Sequence, residues 1–172
     1  MRSIPTATLL LVFACQSASI YAEDNACRQY SLKQDEPSTG THIRQEIVTG
    51  SVLPLDKRYE ELSLAEQSYV KSQYERLGPT DEPPFPINGL RPIFKAIALG
   101  QQKLRVVGDL TLFVEVNSQG QPLSASVLRS PDPEMSKFAA SVLMLQRYKP
   151  ALCNGTPCTM QYPFRMSFDK QL

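Results

Sequence analysis

Excess charge, histidine and long apolar runs are all scarce in this chain, and each shortage argues against a class of function. Lysine and arginine number 18 against 17 aspartate and glutamate, a formal net charge of +1. Without a summed field to draw a polyanion, nucleic acid is not an expected partner. The single histidine, His42, forms no H-x-x-x-H pair, and the four cysteines form no C-x-x-C pair. A metal site would have to be gathered from Cys27, Cys153, Cys158 and His42 across the whole chain, and none is expected. There is no G-x-S-x-G elbow and no glycine-rich phosphate loop. No catalytic residue, cofactor or small-molecule substrate is therefore expected, and the chain does not read as an enzyme. Asp56, Glu60 and Glu61 sit in the charged stretch DKRYEE, where a solvated approach to a helix is a better account than an acid/base pair.

What is present fits one ordinary globular domain with tails: 172 residues, 42% hydrophobic and 20% charged, with no internal repeat. Arg2 precedes a short apolar core at residues 9–14, and small or polar residues lead to Ala22 before Glu23 and Asp24. That layout predicts a secretory signal peptide over 1–22, cleaved after Ala22, and a periplasmic protein. The apolar run is far short of the roughly 20 residues that a membrane span needs. Val12-Phe13-Ala14-Cys15 approximates a lipoprotein processing site, so the alternative is a lipid anchor at Cys15.

Residues 23–62 read as a polar leader with a possible strand over 43–53. Ser63-Leu64-Ala65-Glu66 is a capping box that starts an accessory helix over 63–78, with Gly78 as its left-handed end. DEPPFP, 81–86, must be extended because residues before proline avoid the helical region. A short helix over 89–99 carries Leu90, Ile93, Phe94 and Ile97, and Gly100 closes it.

From residue 108 onward the period of the apolar residues changes twice. Leu110, Leu112, Val114 and Val116 alternate, as in a strand with one buried face. Asn117 to Gly120 supply turn chemistry, and a second strand sets Leu123, Ala125 and Val127 against Ser124 and Ser126. Asp132 caps and Pro133 opens a helix with Met135, Phe138, Ala139, Val142 and Leu145 on one stripe. The last run alternates again, Met160, Tyr162, Phe164, Met166 and Phe168 facing one way. Pro163 has no N–H to donate, which places this strand at a sheet edge. The expected fold is α+β, a small antiparallel three-stranded sheet in β-β-α-β order, packed on one face by two helices, with an extra N-terminal helix.

The order strand, NSQG turn, strand, helix, YKPA, CNGTPC turn and final strand resembles the C-terminal domain of the TonB energy-transducer family, as does the upstream PPFP. The resemblance covers residues 81–168 and implies a domain over 81–172. It implies a non-enzymatic protein-interaction module related to energy transduction and transmembrane transport, meeting a protein partner such as an outer-membrane receptor by strand addition. The partner-binding edge would be Thr159, Gln161, Pro163, Arg165 and Ser167. Family members carry a membrane anchor and a Pro-Lys/Pro-Glu spacer. Neither is evident here, so the alternative is an accessory or structural envelope protein that transfers no energy.

Cys153 and Cys158 bracket a tight turn, and in an oxidising compartment such a pair is expected to form a disulfide that fixes the register of the last strand. Cys27 is then left over, free, joined to a partner chain, or paired with Cys153 or Cys158 in place of the local bridge.

Overall fold

The computed structural model describes residues 53–168, Leu32–Lys33 and Ile43. The expected signal peptide, Cys15, Cys27, His42 and residues 44–52 of the possible strand lie outside the described residues. In chain order the elements are β1 (Leu32–Lys33), α1 (Leu64–Ser72), β2 (Phe85–Pro86), α2 (Arg91–Leu104), β3 (Gly108–Val116), β4 (Pro122–Arg129), α3 (Pro133–Met144), β5 (Tyr148–Lys149), β6 (Ala151–Cys153), β7 (Thr156–Cys158) and β8 (Met160–Phe168). The fold is α+β, as the alternating periods predict.

Among the described residues the principal sheet has four strands in the order β1-β4-β3-β8, one more than expected. The additional strand comes from the leader, where Leu32 and Lys33 lie parallel to Ala125 and Ser126. A two-residue strand carries no readable alternation, so nothing in the sequence announced it. The remaining pairings of this sheet are antiparallel. β3 pairs with β4 on one side, and with β8 on the other in unbroken register from Gly108↔Phe168 to Val116↔Met160.

One face of the sheet carries α2 and α3. Leu110, Leu112, Val114 and Val116 of β3 and Phe164 of β8 meet Ile93 and Ile97 of α2 and Met135, Ala139 and Leu143 of α3 in one buried cluster. One buried face was expected for β3, yet on the opposite face Phe113 is also buried, against Ile43 and Tyr74, with Leu77, Leu128 and Met160 around them. β3 is thus covered on both sides, as befits a central strand. Met160, expected on the α2/α3 face, joins the second cluster.

The helices differ from their expected limits for local reasons. α1 begins with the predicted capping box, Ser63 Oγ accepting from the Glu66 amide at 3.3 Å and Glu66 accepting from the Ser63 amide at 2.7 Å. It ends at Ser72 and not at Gly78, because Tyr74 leaves the helix to bridge Ile43. α2 runs past Gly100 to Leu104 and is closed by Arg105, whose φ of 52° is left-handed. Gly100 serves packing: a Cβ there would lie 2.5 Å from the Phe138 ring. α3 starts as read, with Asp132 Oδ1 accepting from the Met135 amide at 2.9 Å. Its buried stripe is Met135, Ser136, Ala139, Ala140 and Leu143, while Phe138 stays 39% and Leu145 79% exposed. The expected stripe was rotated toward the larger side chains. The expected inner face of β4 holds at Ala125, but Leu123 is exposed.

The NSQG turn forms as expected. Asn117 Oδ1 accepts from the amides of Gln119 and Gln121, both at 2.9 Å, and Gly120 takes a φ of 74°. The Gly120 carbonyl then accepts from Tyr148 N at 3.0 Å, tying the hairpin to β5. β5 pairs with β2, so the extended DEPPFP segment is stitched to the residues just after α3.

Candidate protein-interaction edge

Among the described residues β8 has a strand neighbour on one side only, namely β3. Its pairing pattern fixes which groups point away. Antiparallel ladders alternate bonded and non-bonded pairs, and Pro163, opposite Phe113, cannot belong to a bonded pair. Gln161, Arg165 and Ser167, two residues apart from it in succession, share its phase. The backbone groups of 161, 163, 165 and 167 therefore turn outward, and of the expected edge residues only Thr159 falls outside the strand, one position before Met160. Ser167 is exposed, and Gln161, Pro163 and Arg165 are half-buried.

Part of this margin is already occupied from within the chain. The Tyr74 hydroxyl donates to the Gln161 carbonyl at 2.8 Å. Burial pushes the Tyr74 hydroxyl well above its ordinary range, so this donor does not ionise at physiological pH. Arg165 Nη1 donates to Gln73 Oε1 at 2.8 Å. Burial lowers the Arg165 pKa, with Tyr74 and Tyr69 opposing, and the guanidinium remains charged. At the far end Ser167 Oγ donates to Asp109 Oδ1 at 2.9 Å, and Arg129 holds the other Asp109 oxygen at 3.2 Å. The sequence located the outward residues through Pro163 alone. Gln73 and Tyr74 lie about ninety positions upstream of their partners, and no local signal marks them.

The approach to β8 is braced by a covalent clip. Cys153 and Cys158 are bridged, with Cα atoms 5.8 Å apart, across the hairpin of β6 and β7. The Asp81 carboxylate ties that hairpin to the end of the α1 region, accepting from the Asn154 and Gly78 amides, each at 2.8 Å. These two backbone donors hold Asp81 below the usual carboxylate range. Glu82 adds backbone bonds in both directions with Leu152, at 2.9 Å, and its side chain pairs with Lys149 at 2.7 Å. Lys149 in turn lies 4.7 Å above the buried Tyr59 ring. Burial, with Glu82 and Glu60 adding, pushes the Tyr59 hydroxyl up to about 12.

Two of the acidic residues of DKRYEE play structural parts. Asp56 pairs with Arg91, which holds its carboxylate below the ordinary range, and Glu61 accepts from the Arg58 amide at 2.8 Å. Among the described residues no group of three or more His, Cys, Asp or Glu could hold a metal ion, and no helix is long and apolar enough to cross a membrane. No protein-family model matches the chain, and no curated protein is similar enough to count as a match.

Proposed function

We propose that this chain is a non-enzymatic periplasmic interaction module of the TonB C-terminal type, whose β8 margin receives an extended segment of a protein partner. An outer-membrane receptor is the partner that the family resemblance implies, and energy-coupled transmembrane transport is the setting. The observation carrying this reading is β8 itself: a nine-residue strand that, among the described residues, has a strand neighbour on one side only, with a phase set by Pro163. Added-strand recognition needs such a margin of outward backbone groups. Pro163 contributes an acceptor and no donor, so a partner segment forgoes one hydrogen bond there.

A second reading, an accessory envelope protein with no energy transfer, is favoured by the Tyr74 hydroxyl on the Gln161 carbonyl and by the Gln73–Arg165 contact. Both place parts of this chain where an incoming strand would lie. Pulldown from outer-membrane extract with the wild type and Ser167→Pro separates the two. The first reading expects a receptor retained by the wild type and lost when an outward donor is removed at 167. If no receptor is retained, the transducer-like role falls, and deletion should then leave receptor-driven uptake intact while disturbing envelope assembly.

A further inference from the structure

α2 presents two stripes of side chains, and the core takes only one of them. Ile93 and Ile97 are buried against the sheet. Ala96, Leu99, Gly100, Lys103 and Leu104 stand at i, i+3, i+4, i+7 and i+8, so they share a second face of the same helix. Together with Glu134 and Phe138, which lie four residues apart on one face of α3, they line a groove of about 510 Å³ between the two helices. Leu99 is 51%, Leu104 41% and Phe138 39% exposed. A single exposed leucine is ordinary, but three large apolar side chains on one groove call for an occupant. The groove also holds one unanswered charge. Glu134 accepts from Lys137 Nζ at 2.9 Å, which neutralises it. α2 has no acidic residue, and among the described residues no acid pairs with the exposed Lys103.

We propose that the α2/α3 groove binds a small single-chain carboxylate, its apolar chain along Leu99, Leu104 and Phe138 and its carboxylate at the Lys103 ammonium. The chemistry selects the class. One free cation answers one carboxylate, whereas an alkyl amine meets the Lys103 charge and an inorganic anion leaves the apolar walls uncovered. A second copy of this chain would bring another Lys103 and a Glu134 already held by Lys137, so neither Lys103 would gain a free acid. The volume lies within the roughly 300–1,000 Å³ of small-ligand sites. No residue of β8 lines the groove, so this proposal and strand addition at β8 stand or fall separately.

The test is titration of the full chain, labelled at leucine methyl groups, with octanoate, octanol and octylamine, read by NMR and repeated on Lys103→Gln and Leu99→Glu. Both positions are exposed, so both variants should fold. The Leu99 and Leu104 methyl resonances should shift saturably with octanoate, at lower concentration than with octanol, and octylamine should bind most weakly. In Lys103→Gln the octanoate affinity should fall about two- to fivefold, as for an exposed ion pair, with octanol unchanged. Leu99→Glu, which sets a like charge in the wall, should abolish octanoate binding, read at the Leu104 methyls. Stationary Leu99 and Leu104 resonances, shifts without saturation, or an octanoate affinity unchanged in Lys103→Gln each overturns the proposal. So does a ligand-free dimer in sedimentation equilibrium that Leu99→Glu dissociates, since the groove would then belong to a second copy.

Discussion

Replacing Gly120 by alanine should destabilise the protein by about 3 kcal/mol, a sum of three local effects. At a φ of 74° an alanine sits in the left-handed region, at a cost of about 1 kcal/mol. Its Cβ would lie 1.9 Å from the Tyr148 carbonyl oxygen, so the turn and β5 must separate. Separation lengthens the 3.0 Å bond from Tyr148 N to the Gly120 carbonyl, worth about 1 kcal/mol, and disturbs close packing around it by a similar amount. Gly155 provides the internal control, since its φ is 78° but an added Cβ meets nothing within 4 Å. Gly155→Ala should therefore show the conformational cost alone, about 1 kcal/mol. Thermal unfolding with the disulfide intact should give a Tm lower by about 10 °C for Gly120→Ala and by about 3 °C for Gly155→Ala. Equal shifts in the two variants would refute the idea that crowding against β5 dominates at position 120.

Three further outcomes follow from the same contacts. Replacing both Cys153 and Cys158 by serine opens a loop of sequence separation 5, and the loss should be about 2 kcal/mol by chain entropy, read as a lower urea midpoint. The lowered pKa of Asp81 means that its contribution to stability is fully present above the ordinary value of 3.8 and is lost as pH falls through the lower folded value. Asp81→Asn should accordingly flatten the acid limb of stability measured between about pH 5 and pH 2, and an unchanged limb would count against the tether. Tyr74→Phe removes the donor to the Gln161 carbonyl and should cost about 1 kcal/mol in denaturant unfolding. If β8 receives a partner strand, the same change should strengthen retention of that partner, because one more edge acceptor becomes available.

The parts of this fold that were legible in advance are those written in local chemistry. Asp132 and Pro133 announced the start of α3, Ser63 and Glu66 that of α1, and alternation along β8 its inner face. Pro163 alone identified the edge and, with it, the outward phase of the candidate site. The misreadings concern contacts between distant segments. Gly100 looked like a helix stop because an isolated glycine often is one, whereas here it makes room for the ring of Phe138 from another helix. Alternation gave β3 one buried face through Leu110, Leu112, Val114 and Val116 and left Phe113 unplaced. Ile43 and Tyr74, far away in the chain, cover it. Counting large residues placed Phe138 and Leu145 inside, but close approach of α3 to β3 and α2 favours Ala139 and Ala140 at the contact. The occupation of the β8 margin by Gln73 and Tyr74 has no sequence signature at all.

Leu32 and Lys33 lie along β4 at the other rim of the sheet. A recombinant fragment begun at residue 81, where the family likeness starts, would lack this selvedge as well as Ile43 and Tyr74. It would lay bare Phe113 and both sheet rims together, inviting fibrous self-association. Leu32, Lys33, Ile43 and Tyr74 thus act as chaperoning garments for the strands they adjoin, and a workable expression boundary lies upstream of Leu32.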